Sequence, residues 1–311
     1  MPAKTRTGTG TGAGTRIWDW MNRHAKWVLS MPAAVFVVLM LVVPLAFTVY
    51  LSLTDAYGSV RRPKKFIGLE NYAYVFTDSE RFWPALWRTL LYSVATVGIE
   101  LVLGLAIALL LRRAFRGQGF VRSVILLPLV ATPVAVGMSW LLIFEPTIGI
   151  ANQVLRVFGL APREWLTSPS EALGTLIFID VWQWTPIMVI ILLAGLMVLP
   201  EEPYEAAQVD GAGPVQIFWH VTLPMLAPAV VTAVLLRSID AIKTFDMIYA
   251  TKGPGGGTRH EAETLNILAY DLNFNYNEYG RGSALLVLFF ILILFTVYLL
   301  TKIRERWGAS L

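Results

Sequence analysis

The sequence predicts an all-α membrane protein with six transmembrane helices, and three observations support that prediction. The 311-residue chain is 56% hydrophobic and only 15% charged, whereas soluble domains carry about 25% charged residues. Six stretches are apolar over the length a bilayer requires, because ~30 Å of hydrocarbon needs about 20 residues of helix. Backbone groups in lipid must be hydrogen-bonded within the protein, so we expect a helical bundle.

The six predicted spans differ in how clearly hydropathy marks them. The first, third and sixth contain no Asp, Glu, Lys or Arg, the second contains Glu100 and the fourth contains Asp180. The fifth carries four charged residues. The first exceeds the apolar region of about 7–15 residues in a signal peptide, so we expect an anchor. The spans are residues 28–54, 89–111, 123–144, 172–200, 223–250 and 283–301.

Charge distribution indicates the orientation of the spans. Lys and Arg are enriched in short cytoplasmic loops. The loop 112–122 holds four arginines and no acid, and the tail 302–311 is basic, so we expect both termini in the cytoplasm. The basic cluster at 61–65 opposes this orientation but lies in a longer loop. Residues 1–26 include a Thr/Gly-rich run and are expected to form a disordered tail before a transmembrane domain of residues 27–301.

Composition also argues against several functions. The chain has no cysteine, which excludes a disulfide scaffold and a thiol nucleophile, and its three histidines are far apart. It contains no Gly-x4-Gly-Lys-Ser/Thr phosphate loop and no His-Glu-x2-His or Gly-x-Ser-x-Gly motif. The net charge is only +4. We therefore expect no catalytic residues, no metal, no cofactor bound by this chain and no nucleic-acid partner.

The loop between the fourth and fifth predicted spans, residues 201–224, has the features of a short helix with clear boundaries. Pro203 suits a first helical turn, and Gly211 suits a left-handed stop. The loop holds four acids and no Lys or Arg. It is either a solvated connector or an acidic docking helix for a basic groove on a partner protein.

The same loop carries a family resemblance. The motif runs Glu205-Ala206-Ala207, three residues, Gly211, nine residues and Val221-Thr222-Leu223-Pro224. It resembles the EAA loop of ABC importer permeases, whose pattern has Ile where Val221 stands. Further stretches resemble the carbohydrate-uptake subgroup, on the side of the maltose-system and glycerol-phosphate-system permeases; they lie at 66–72, 180–186, 245–249 and 263–265. The resemblance covers about residues 28–305, with a shared core of about 86–300.

The resemblance implies a type I ABC importer permease, one half of a transmembrane pore for a sugar or sugar-like solute. It implies a second homologous permease, two cytoplasmic ATPase subunits that bind ATP and Mg, and an extracytoplasmic solute-binding protein. The chain would lie in the inner membrane of a bacterium or archaeon. The EAA loop would couple ATPase motion to alternating access. The implied coupling residues are Glu205, Ala206, Ala207, Asp210, Gly211, Leu223 and Pro224.

Polar and aromatic residues inside spans four and five are candidates for the substrate path. A charge inside the bilayer is costly and usually faces protein or water. Arg237, Asp240 and Lys243 are spaced for i,i+3 pairs, so they form either an internal ion-pair ladder or a polar wall. For Glu100 we expect a buried structural partner. The candidate path residues are Asp180, Trp182, Gln183, Trp184, Asp240, Lys243, Phe245, Asp246 and Tyr249.

Two alternatives remain open at this point. A proton-coupled secondary transporter would use intramembrane acids such as Asp180 and Asp240, although it would not need an EAA loop. Within the importer family, glycerol phosphate or a polyol is an alternative to a sugar. The sequence does not indicate which solute is carried, nor whether this chain or its partner permease holds it.

Overall fold

The computed structural model describes residues 24–308, and these residues are helical apart from their connections. Within that range the one strand-type pairing is an isolated bridge between Thr54 and Phe66. The tail expected over 1–26 lies almost wholly outside the described residues, as do the last three residues of the chain. The chain divides into two compact units, 1–50 and 51–311, which are described separately.

The first unit contains most of one long helix, α1 (Ala25–Ser52). It carries no Asp, Glu or Arg, and Lys26 is its one charged residue. The two prolines inside it, Pro32 and Pro44, remove backbone N–H groups, and the Thr48 hydroxyl donates to the Pro44 carbonyl at 3.0 Å. Its large apolar side chains between Leu29 and Tyr50 are exposed. This helix has the length and composition of a membrane span, as predicted.

The second unit is built on four long helices joined by shorter ones. The first long helix begins at Phe82 rather than at residue 89, with Pro84 in its first turn, where a missing N–H is tolerated. The helices are α2 (Glu70–Thr77), α3 (Phe82–Arg112), α4 (Gln118–Leu126), α5 (Pro133–Ile143), α6 (Ile150–Val157), α7 (Ala172–Val198), α8 (Glu202–Val209), α9 (Pro214–Ile217), α10 (Leu223–Ile242), α11 (Asp246–Lys252), α12 (Leu265–Tyr270) and α13 (Tyr279–Gly308).

The third predicted span, 123–144, is not one straight helix. Helix α4 continues as a 3-10 turn, Leu127–Val130, and the chain then bends by 97° into α5. Pro133 explains the break, because the residue before a proline is pushed out of the helical region, and Thr132 is extended with ψ 148°. The described residues thus hold five helices suited to crossing a membrane, or six if the bent pair counts as one.

The fifth predicted span, 223–250, is also interrupted. Helix α10 ends at Ile242, and α11 begins at Asp246 after three intervening residues. Phe245, with φ −136° and ψ −57°, turns the chain between them. Lys243 and Asp246 are exposed at this interruption, which forms part of the site described below.

Close packing joins α3 to α7. A Cβ on Gly104 would lie 2.6 Å from the Met188 Cβ, so only glycine permits this approach. Around it lies an apolar core shared by α3, α7 and α10, with Leu192, Leu196 and Leu226 fully buried. These three helices therefore form a rigid frame for any polar group placed among them.

Candidate functional site

A polar cavity of about 320 Å³ opens among α5, α7, α10 and α11. Seven of the nine predicted path residues line it. Its lining residues are Pro133, Asp180, Gln183, Trp184, Arg237, Asp240, Lys243, Thr244, Phe245, Asp246 and Met247. Of the other four, Arg237 was considered for the ion-pair ladder or polar wall, whereas Pro133, Thr244 and Met247 were not predicted. An apolar or small polar side chain among apolar neighbours gives no clear signal in the sequence.

The floor of the polar cavity is a buried ion cluster that joins three helices. The Arg237 guanidinium on α10 binds Glu100 of α3 through two bonds, Nε to Oε2 at 2.8 Å and Nη2 to Oε1 at 3.0 Å. The same Nη2 also bonds the Asp180 carboxylate of α7. All three side chains are at most 3% exposed. Because the arrangement is bidentate and charge-assisted, it fixes the relative positions of the three helices.

The ion-pair ladder considered from spacing forms only in part. Arg237 turns to the carboxylates of neighbouring helices, and Glu100 has the buried structural partner that we expected. Asp240 pairs instead with Lys243 at 3.4 Å, and both side chains are about half exposed. The reason is environmental: a guanidinium buried among apolar helices needs partners at its own depth, whereas Asp240 reaches the open cavity.

The wall above the ion cluster is aromatic and amide in character. The Arg237 guanidinium carbon lies 5.4 Å from the centre of the Trp184 ring, a cation–π distance. Gln183 donates from Nε2 to the Ala131 carbonyl at 3.2 Å. Its Oε1 is buried and has no hydrogen-bond partner among residues 24–308. The wall thus offers a free acceptor beside a flat ring.

Two predicted path residues lie outside the polar cavity. Trp182 points away from it, since successive residues of a helix are turned by about 100°, and it contacts Trp140 edge-on at 5.4 Å. Tyr249 stacks on Phe245 at 5.1 Å and contacts Tyr270 at 4.9 Å, behind the lining. The helix period separates Trp182 from the path, whereas Tyr249 follows Phe245 by four residues and is separated from the cavity by the Phe245 ring itself.

The predicted docking loop forms a helix that ends as expected. Gly211 has φ +78°. Its N–H bonds the Gln208 carbonyl at 3.0 Å, and the Ala212 N–H bonds the Ala207 carbonyl at 2.9 Å. This is the Schellman arrangement that requires a left-handed residue. The loop then continues through α9 and a π-turn, Phe218–Thr222, directly into α10, so Leu223 and Pro224 occupy the first turn of a long helix.

The surface of this loop combines acidic and apolar side chains. Glu205 and Asp210 are exposed. Val209, Val215 and Trp219 are 87%, 70% and 58% exposed. The loop lies beside the end of α3, since the Arg112 guanidinium carbon is 4.6 Å from the Tyr204 ring centre. The acidic loop and the arginine-rich loop 112–122 therefore occur at the same end of the second unit.

A second group of charges lies at the beginning of α3, the opposite end of that helix. Arg81 pairs with Glu263 and, at 3.1 Å, with Asp271. Burial raises the pKa of Glu263 and outweighs the opposing effect of Arg81. For Glu261 burial acts in the same direction, but the hydrogen bond from Lys252 (2.6 Å) and backbone N–H groups outweigh it and hold its pKa below the usual value. Among residues 24–308 no cluster of His, Asp and Glu could hold a metal ion.

Comparison with known proteins places the chain in a family. Residues 100–307 match the family described as binding-protein-dependent transport system inner membrane component. The trehalose/maltose transport system permease protein MalF of Thermococcus litoralis is 35% identical over 289 residues, 91% of this chain and 96% of the relative. The trehalose transport system permease protein SugA of Mycobacterium tuberculosis is 35% identical over 300 residues, 96% of this chain and 94% of the relative.

A solved structure shares the fold. It is a bacterial alginate ABC transporter in complex with an alginate pentasaccharide-bound periplasmic protein. One of its chains superposes with a TM-score of 0.80 at 21% identity, covering 94% of this chain and 98% of that chain. The predicted fold class, a type I ABC importer permease bundle, is confirmed.

Proposed function

The chain belongs to the family of inner membrane components of binding-protein-dependent transport systems, and from this premise we propose that it imports a sugar or sugar-like solute through its polar cavity. The observation that carries the proposal is the cavity itself, a cluster of polar and aromatic side chains inside apolar helices. Relatives at 35% identity are named for trehalose/maltose and for trehalose transport.

The chemistry of the polar cavity suits a neutral sugar. Sugar hydroxyls require both donors and acceptors, which Gln183, Asp240 and Lys243 supply, while C–H faces stack on aromatic rings such as Trp184. Its volume of about 320 Å³ lies within the range of about 300–1,000 Å³ of ligand sites. Arg237 is already bound by two carboxylates and is not free to take a phosphate. A sugar is therefore favoured over glycerol phosphate.

Energy for transport would come from partner subunits that dock on the loop 201–224. Glu205 is exposed for a charge-assisted contact with a basic ATPase residue. The exposed Val209, Val215 and Trp219 supply apolar contact around it. Gly211 keeps the helix short, so movement of the docked loop passes directly into α10. ATP and Mg would bind to those ATPase subunits and not to this chain.

The complete transporter would contain two such permeases, two ATPase subunits and a solute-binding protein, in the inner membrane of a bacterium or archaeon. Both termini and α8 would face the cytoplasm, and the opposite end would receive the binding protein. The intramembrane acids support ATP-driven transport over proton coupling. Glu100 and Asp180 are tied to Arg237, and Asp240 is paired with Lys243, so each of these three acids has a cation beside it.

The test is ATP-dependent uptake of radiolabelled trehalose and maltose by the transporter reconstituted with its ATPase, second permease and binding protein. We expect Glu205→Lys to lower uptake at least tenfold and to release the ATPase during purification. Glu164→Lys, at an exposed acid before α7, is the matched control. It should change neither the uptake rate nor the retention of the ATPase during purification. ATP-dependent uptake by the Glu205→Lys transporter at the wild-type rate would contradict the docking role of Glu205. Inhibition of uptake by glycerol phosphate but by no sugar would contradict the proposed sugar substrate.

A further inference from the structure

A second cavity, here called the apolar groove, lies on the other side of α7 from the polar cavity. It measures about 520 Å³ and runs between α3, α4 and α7. Its walls include Ile99, Ile107, Val124, Gly174, Phe178 and Trp182. None of its lining residues is charged. The transport function proposed above makes no use of it.

The groove exists because the third span is bent. After Val130 the chain turns by 97°, so α4 covers only part of the surface that α3 and α7 present. Phe178 and Trp182 remain 53% and 43% exposed at the groove. A hydroxyl in its lining, that of Thr185, is satisfied by the Val181 carbonyl at 2.6 Å. The groove therefore presents an unbroken apolar surface at the depth of the bilayer hydrocarbon.

One end of the apolar groove is strongly basic. Arg122 stands on the same helix as Val124, and its Nη2 lies 3.4 Å from the Leu111 carbonyl, one turn beyond Ile107. The Nε of Arg122 is buried and has no hydrogen-bond partner within the described part of the chain. The loop 112–122 holds four arginines and no acid, and Arg113 and Arg116 are exposed. An anion at this end would find both charge and an unused donor.

We propose that the apolar groove binds an acyl chain of an anionic phospholipid whose phosphate is held by Arg122 and its exposed arginine neighbours. Phosphate is the anion that arginine binds most readily at a membrane surface. Along α3 the groove extends from Ile107, near the arginine-rich end, to Ile99, about 12 Å at ~1.5 Å per residue, which lies within the ~15 Å hydrocarbon depth of one leaflet.

The basic end of the groove favours a lipid over a helix from another subunit. A partner helix would supply apolar contact but no phosphate for Arg122 and its neighbours, whereas a phospholipid supplies both an acyl chain and an anionic head group.

The test uses the intact transporter and counts bound phosphatidylglycerol and phosphatidylcholine by native mass spectrometry during lipid titration. We expect the wild type to bind phosphatidylglycerol at least tenfold more tightly than phosphatidylcholine. Val124→Trp should weaken phosphatidylglycerol binding at least fivefold by filling the groove at its arginine-rich end, where Val124 is 45% exposed and leaves room for a larger side chain. Val134→Trp, at a 49% exposed valine of α5 outside the groove, is the matched control and should bind like the wild type.

The head-group contact is tested separately. Arg122→Gln should remove most of the preference for phosphatidylglycerol, whereas Arg156→Gln, an exposed arginine on α6, should leave it unchanged. Equal binding of the two lipids by the wild type, or equal effects of Val124→Trp and Val134→Trp, would overturn the proposal. Since the chain has no cysteine, a photo-crosslinker on Val124→Cys reports the occupant directly. Crosslinks to the partner permease in place of lipid would also overturn it.

Discussion

The two sides of α7 present different environments although they are built from the same few residues of sequence. Asp180, Gln183 and Trp184 line the polar cavity, while Phe178 and Trp182 line the apolar groove. Trp182 and Trp184 are the same residue type, two positions apart, and about 200° apart around the helix axis. The comparison teaches that the face a residue occupies, and not the hydropathy of its helix, decides whether it meets solute or lipid.

The two ion pairs on the polar side of α7 differ in burial, and so they should differ in how much they stabilise the fold. The Arg237 cluster is almost completely buried, whereas the Asp240–Lys243 pair is about half exposed. Loss of one partner from a buried pair leaves an unpaired charge at low dielectric. An exposed pair contributes little, because water solvates the remaining charge. Helix α10 and its C-cap residue therefore carry one ion pair on which the fold depends and one that contributes little to stability.

The largest effect that this comparison predicts is that of Arg237→Met. The change leaves Glu100 and Asp180 buried together without a cation, and breaking a buried pair costs about 3–5 kcal/mol. We expect little folded permease in membranes and a clear drop in thermal stability in detergent, measured by fluorescence-detected size-exclusion chromatography. Lys243→Met, in the exposed pair, should change stability by no more than about 1 kcal/mol. Similar losses in both variants would show that burial does not separate the two pairs.

A second experiment exchanges the two tryptophans of α7 for leucine one at a time. Trp184→Leu removes an aromatic surface of the polar cavity, and we expect the KM for sugar uptake to rise about tenfold, equivalent to ~1.4 kcal/mol. Trp182→Leu loses its edge contact with Trp140 and should lower thermal stability while changing KM by less than about twofold. Initial uptake rates over a range of binding-protein-loaded sugar measure both values. A larger KM effect for Trp182→Leu would reverse the assignment of the two faces.

A smaller effect is expected from the charges at the beginning of α3, outside both faces of α7. The pKa of Glu261 is held below its usual value, so its ion pair stabilises the fold above the ordinary glutamate pKa of about 4.3 and the stabilisation is lost as pH falls below it. We expect the melting temperature of the wild type to fall more steeply between pH 5 and pH 3.5 than that of Glu261→Gln. Differential scanning fluorimetry in a pH series measures this, and parallel curves for the two proteins would contradict it.

Local signals allowed much of the fold to be predicted. Long uncharged runs marked α1 and α13, and the glycine at 211 predicted a left-handed helix stop that the structure confirms. The bend inside the third span was also present in the sequence, as Pro128 and Pro133, but mean hydropathy does not respond to a missing N–H. The break between α10 and α11 had no comparable local signal, since neither proline nor glycine stands at 243–245.

By itself the sequence determined that this chain crosses a membrane and that a short acidic helix in the loop 201–224 ends at Gly211, because apolar run length and glycine conformation are local properties. Tertiary structure alone decided that Arg237 binds Glu100 and Asp180 rather than Asp240. It also decided that Trp182 and Trp184 belong to different surfaces. A buried charge pairs with a group of opposite sign that lies close to it on a neighbouring helix. Which group that is depends on how the helices pack.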